Sequence, residues 1–328
     1  VVTEAEIEID NDVILDGEGI LIVEASSYGS VFSVGADVAA ELIGMTVTGS
    51  SGSGISNGGM LALTNATVSG NSRGGIGNSG TLTLTNSTVS GNTANGSGGG
   101  GILSRGTVTL THSTVAGNTA VIGGGILNEG TLSLIHSTVS GNTATDIIGG
   151  GILNFNEGTL TLTNTTVSGN TARERDGVVH GSGIFNEGTL SLINSTISGN
   201  NVASAAVTSW QGTVVDSDCI LEDDPAVATI SNGYNIESPG DTCGFDPDGT
   251  DLVDVPDPML GPLQDNGGPT ETHALLGVVG VDVIPEVDCV DADGLPLTTD
   301  QRGEPRPVAV VGPEPKCDVG AFEVQGEE

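Results

Sequence analysis

One thirteen-residue phrase recurs along this chain and decides most of what it can fold into. It reads GTLTLTNSTVSGN from Gly80 to Asn92, GTVTLTHSTVAGN from Gly106 to Asn118 and GTLSLIHSTVSGN from Gly130 to Asn142, with looser copies ending at Asn71, Asn170 and Asn200. The glycine before the closing asparagine falls at Gly49, Gly70, Gly91, Gly117, Gly141, Gly169 and Gly199, in steps of 21, 21, 26, 24, 28 and 30 residues. A period of about 20–50 residues marks a solenoid, in which each repeat buries its apolar face only against its neighbours.

Within a repeat, Leu82 and Leu84 alternate with Thr81, Thr83 and Thr85, which is the pattern of a strand with one apolar and one polar face. Val89 supplies a second strand. A third centres on Ile102, Ile126, Ile152 and Ile184, each preceded by glycines that allow a tight corner. Three short strands per coil therefore stack in register, and Ile76, Leu82, Leu84 and Val89 are expected to lie against Ile102, Val108, Leu110 and Val115.

Asparagines mark the corners. Asn71, Asn92, Asn118, Asn142, Asn170 and Asn200 share one register and are expected to form a ladder of stacked amides. Asn65, Asn86, Asn164 and Asn194 share a second register with His112 and His136, so these histidines are read as replacing a turn amide rather than as metal or proton-transfer groups. Insertions fall between the SGNTA segment and the next GGI; one carries Arg173, Glu174, Arg175, Asp176 and His180, and variable loops are expected along that edge.

The flanks differ from the repeats. Residues 1–48 hold ten acidic and no basic residues and are read as N-terminal capping coils, 49–210 as the regular β-helix repeats, and 211–328 as acidic, irregular coils and a cap. The opening residues carry no signal-like segment, as a mature fragment would. The four cysteines, Cys219, Cys243, Cys289 and Cys317, lack the CxxC spacing of a zinc site and suit disulfides in an oxidising compartment; of the three possible connectivities the sequence-local one, Cys219 to Cys243 and Cys289 to Cys317, is expected, though sequence alone does not fix it. Acidic, glycine-bent loops make Ca2+ the candidate ion: Asp246, Asp248, Asp251 and Asp254 in one, Asp288, Asp291 and Asp293 in the other. Solvated acidic turns are the rival reading.

Three phrases of the tail, GYNI, PMLGPLQDNGGPTETHALL and TDQRGEPRPV followed by CDVGAFE, resemble the C-terminal region of bacterial choice-of-anchor Q proteins. The resemblance covers residues from about 45 to 323 when the repeats are included, and it implies a pectate-lyase-like, right-handed parallel β-helix that is secreted or displayed on the bacterial surface. It brings no catalytic residue that maps onto this chain. The fold expected is thus all-β, a right-handed parallel β-helix with an irregular, disulfide-stapled C-terminal cap.

Charge narrows the functions. With 7 Lys and Arg against 42 Asp and Glu, the net charge is −35, which leaves too few cations to neutralise a run of phosphates, so no nucleic acid is expected as a partner and an anionic membrane surface is a poor one. No apolar run reaches the roughly 20 residues of a membrane span. Lyases need a cationic base, yet the repeats contain only Arg73, Arg105, Arg173 and Arg175 and no Lys. Hydrolases need paired carboxylates, for which Glu129, Glu157 and Glu187 in a shared NEG turn are the only vertical row. Outward files at Thr81/Thr83, Thr107/Thr109, Thr131/Ser133, Thr159/Thr161 and Thr189/Ser191 could order water as ice-binding solenoids do, although Thr is also a good soluble strand former. The leading expectation is a non-catalytic, secreted or cell-surface element, rigid and adhesive, that contacts a surface glycan, a protein partner or copies of itself, with assembly into fibres as one form. A carbohydrate-active enzyme or glycan-binding module is the alternative, and an ice-binding protein the second.

Overall fold

The computed structural model describes residues 1–328 apart from 26–28, 97, 147, 174–180, 204–218, 222–227, 239–242, 244–248, 313 and 327–328. The Arg173 to His180 insertion therefore lies almost wholly outside the described residues, as do Asp246 and Asp248. The fold is an all-β, right-handed parallel β-helix, and no α-helix occurs among the described residues. None of them forms a helix long and apolar enough to cross a membrane.

A typical coil runs through Ile76–Asn78, Thr81–Thr85, Thr88–Ser90 and Thr93–Ala94. The five-residue strand and the following three-residue strand join one 17-stranded sheet; the Ile strand joins a second, of nine strands. A fourth strand of only two residues, absent from the sequence reading, builds a five-stranded sheet from Thr93–Ala94, Thr119–Ala120 and their successors. Two residues are too few for alternation to show in a sequence.

Register is residue for residue. Leu82 pairs with Leu61 and Val108, Leu84 with Leu63 and Leu110, Val89 with Val68 and Val115, and Ile102 with Ile76 and Ile126. These columns form one continuous core from Ile9 to Ile197. Each side chain so buried contributes about 1.5–3 kcal/mol relative to exposure, and none could do so within one coil. The turn ahead of the five-residue strand must be glycine, because a Cβ on Gly106 would lie 2.0 Å from the Gly80 carbonyl oxygen.

Three polar files line the corners. The Nδ2 of Asn71 donates to Asn92 Oδ1 at 2.9 Å, and the series continues through Asn118, Asn142, Asn170 and Asn200 at 2.8–3.0 Å. Each oxygen also accepts the backbone N–H of the preceding member, which satisfies corner groups that would otherwise be buried unpaired. A second amide file, not anticipated from sequence, runs from Asn57 to Asn78, is interrupted by Ser104, and resumes from Asn128 through Asn154 to Asn186. The third file has another cause: Asn65, Asn86, His112, His136, Asn164 and Asn194 all have φ between 45° and 51°, a left-handed conformation that asparagine tolerates best. His112 and His136 adopt it too, with their rings stacked 5.1 Å apart.

Beyond the last coil the chain turns back. Cys289 and Cys317 are disulfide-bonded with their Cα atoms 6.0 Å apart, and they anchor a small second core with Ile236, Ile284 and Val319. Cys243 is buried and also disulfide-bonded, while the Cys219 side chain lies outside the described residues. The region does more than close an end: residues 260–324 run back along the flank of the coils as a strap.

Candidate functional site

The coil presents two long lateral faces, and the structure treats them differently. On the five-residue strands, the alternation that buries Leu82 and Leu84 turns Thr81 and Thr83 outward. Pairing aligns Thr81, Thr107, Thr131, Thr159 and Thr189 in one file, and Thr83, Thr109, Ser133, Thr161 and Ser191 in the next. This face remains open. Toward the N-terminus the files change to Met60 and Ala62, and there Ile14, Asp12 and Glu41 frame a groove of about 630 Å³. At the other end, Thr161 and Ser191 meet Asn232, Tyr234 and the loop carrying Asp288 and Asp291, which enclose a cleft of about 360 Å³.

The adjoining three-residue strands are covered by the strap. An antiparallel hairpin of Leu260–Gln264 and Thr272–Leu275 places His273 against the coils. Its Nε2 lies 2.8 Å from Ser140 Oγ and 3.0 Å from Ser168 Oγ, and its Nδ1 lies 2.7 Å from the Gly261 carbonyl. With Nδ1 donating to that carbonyl, Nε2 accepts from the serines. Gln301 is fully buried: its Oε1 accepts from Thr138 Oγ1 at 2.7 Å and its Nε2 donates to Thr114 Oγ1 at 3.0 Å. Ala321 N donates to Thr166 Oγ1, and Thr196 Oγ1 donates to the Val319 carbonyl.

A buried charge cluster holds the strap together. Arg306 Nε donates to Glu323 Oε2 at 2.8 Å with both side chains fully inaccessible, and the guanidinium also donates to the Gly320 and Asp318 carbonyls. Arg302 pairs with Asp300 and lies 3.7 Å over the Phe322 ring. Burial, then the neighbouring Glu323 charge, pushes the Asp318 carboxyl up to about 7. Burial also raises Glu323, against the pull of Arg306. Burial lowers His112 and His273, and it lowers His136 well below the ordinary range, helped by Arg306 and His112.

The Ser140–His273 contact has the distance of a nucleophile and its base. It lacks access. Ser140 and Ser168 are each 4% exposed beneath the strap, so the contact locks hairpin to coil.

The acids singled out in the sequence are dispersed or already engaged. Asp251 accepts from Asn235 N at 2.9 Å, from Asn235 Nδ2 at 3.0 Å and from Ser231 Oγ. Asp254 is exposed on a separate turn. Asp291 Oδ1 caps its own loop by accepting from Asp293 N and Leu295 N, and Asp288 accepts from Tyr234 Oη at 2.8 Å. Among the described residues no three His, Cys, Asp or Glu side chains converge as a metal site. The expected vertical row of Glu129, Glu157 and Glu187 does not form. Glu129 N donates to Ser104 O, Phe155 N to Asn128 O and Glu187 N to Asn154 O, so Phe155 occupies the middle rung. The two extra residues of the Asn154 to Gly158 turn carry Glu157 out of register. Glu129 instead pairs with Arg105 at 2.7 Å, on the surface.

Comparison with known proteins finds no family model that matches the chain and no similar curated protein. Among solved structures, the chain is similar to that of pectate lyase Pel9A, with 15% sequence identity and a TM-score of 0.44 over 98% of this chain and 85% of that one.

Proposed function

We propose that this chain is a non-catalytic, rigid element, secreted or displayed on a bacterial surface in the manner of choice-of-anchor Q proteins, and that its open hydroxyl face makes the contacts. The observation that carries this reading is the division of labour between the two faces. Arg306, Glu323, Asp318 and Gln301 are buried in a clamp with the half-buried His273 at its edge, while the open face offers in-register Thr and Ser over five successive coils. Short hydroxyls on a rigid parallel sheet present repeating donors and acceptors, which suits recognition of an extended polar surface such as a glycan. The Cys289–Cys317 bond supports an oxidising compartment.

The test is retention of the purified chain on a panel of immobilised cell-surface polysaccharides, beside an assay for their depolymerisation. Retention is expected, without release of reducing ends, and it is expected to drop at least tenfold when Thr109 and Thr161 are both changed to Val, which removes the hydroxyls and adds no charge. Turnover by wild-type protein that Glu157→Gln abolishes would replace this reading with the enzymatic one. Shaping of ice crystals that is lost in the same threonine variant would replace it with ice binding.

A further inference from the structure

The depression at the C-terminal end of the open face is built from both halves of the molecule. Thr161 and Ser191 belong to successive coils, Asn232 and Tyr234 to the last turn before the tail, and Asp288 and Asp291 to the strap loop. The parts are mutually fixed. Asn232 Nδ2 donates to Ser191 Oγ at 3.1 Å, Tyr234 Oη donates to Asp288 Oδ2 at 2.8 Å, and the disulfide at Cys289 adjoins Asp288. Burial and the Asp288 hydrogen bond push the Tyr234 phenol up to about 12, so it stays a donor across biological pH. This is a preorganised cleft rather than a loose acidic turn.

Its chemistry is specific. Two hydroxyls, an amide, a phenol ring and two carboxylates converge, and no Lys, Arg or His lines the cleft. The hydroxyls, amide and ring suit a sugar, whose hydroxyls need paired donors and acceptors and whose C–H faces need apolar surface. The carboxylates choose among sugars: with a net charge of −35 behind them, they repel uronates and phosphates and attract an ammonium. Asp288 Oδ1 and Asp291 Oδ2 accept no hydrogen bond from the described residues, which leaves each able to receive an N–H.

We propose that this cleft binds a hexosamine unit with a free amino group, at the end of a cationic glycan whose further units lie along the Thr and Ser files. The proposal rests on the hydroxyl face being the contact surface and adds which glycan it selects. The cleft's volume of about 360 Å³ falls at the small end of ligand pockets, matching one or two sugar units.

Isothermal titration of the full chain in chelator-containing buffer tests it with four probes: a fully de-N-acetylated glucosamine hexamer, its N-acetylated counterpart, hexagalacturonate and spermine. Saturable one-to-one binding is expected for the amino hexamer, at least tenfold tighter than for the acetylated one, with no binding of the uronate. Asp288→Asn is expected to weaken it about tenfold. Ala292→Trp, which fills the cleft from an exposed loop position, is expected to abolish it with an unchanged circular dichroism spectrum, whereas Glu41→Gln at the opposite groove leaves it intact. Equal binding of spermine, equal binding of the acetylated hexamer, absence of binding, or insensitivity to Ala292→Trp would each overturn the proposal. If polysaccharide retention survives Ala292→Trp but fails with the Thr109 and Thr161 double change, only the hexosamine assignment falls; if neither change affects retention, the reading of the face falls with it.

Discussion

Thr88-Val89-Ser90 and Thr138-Val139-Ser140 are the same three residues in the same strand, two coils apart, yet only the valine is fully buried in the first and all three are buried in the second. The cause is the strap, which reaches the coils at Thr114, Thr138, Thr166 and Thr196 and stops short of Thr88. The repeat determines what a coil puts inside. What is covered outside depends on a segment that occurs once. The coil interior is redundant, since every rung repeats the same contacts, whereas the clamp rests on a few charges with no substitute.

Three measurements would break or sharpen that contrast. The largest effect is expected from Arg306→Met, which leaves Glu323 and Asp318 buried without their cation. Such a loss costs about 3–5 kcal/mol, and pairing it with Glu323→Gln, which removes the buried charge but keeps an acceptor for the Val308 and Asp318 N–H groups, should recover part of that cost. Hydrogen exchange at Gln301 to Ala321 across a urea series is expected to show the strap releasing before the coils. A single coincident transition would instead make strap and coil one cooperative unit. Next comes Asn142→Ala, which orphans the Asn118 N–H and the Val115 carbonyl and is expected to cost about 1–3 kcal/mol in thermal unfolding. Asn92→Ala, on the uncovered coil, should cost the same within about 1 kcal/mol if rungs are equivalent. A much larger loss at Asn142 would tie the ladder to the strap.

The smallest effect is in pH dependence, and its sign divides the clamp in two. Burial lowers His273, so the folded chain binds fewer protons there than the unfolded one. Its contribution is full above the unfolded value of 6.5 and is lost as pH falls below it. Asp318 runs the other way: raised to about 7, it favours the folded state below its ordinary 3.8, and that contribution is lost as pH rises through 7. Urea midpoints between pH 4 and 8 are expected to show the wild-type advantage over His273→Gln shrinking toward acid, and the advantage over Asp318→Asn shrinking toward alkali. Parallel curves would mean that neither group titrates within the clamp.

The coil was legible because its information repeats. Leu82, Leu84 and Val89 recur at fixed offsets, so register follows from aligning the chain with itself. The small departures were less so: Phe155 takes the middle rung because hydrogen bonding counts from Asn154, whereas the NEG phrase draws the eye to Glu157. The strap was illegible for a different reason. Gln301 meets Thr138 across 163 residues and His273 meets Ser140 across 133, once each, and nothing local in a Gln or a His announces such a partner. The one available signal was phrase specificity, since Gln301, Arg306, Asp318 and Glu323 all lie in TDQRGEPRPV and CDVGAFE. A serine and histidine at hydrogen-bond distance also show why spacing alone misleads: without the strap's cover in view, Ser140 and His273 would pass for a hydrolytic pair.

Interchangeable floors make a tower easy to lengthen or shorten, since any storey can be copied or struck out without redesigning its neighbours. A tail bolted to four consecutive storeys removes that liberty. Deleting the one that carries Thr138 would leave Gln301 and His273 facing the wrong landings, so from Thr114 to Thr196 this chain has a fixed gauge, and growth is tolerated only on the side the tail never reaches.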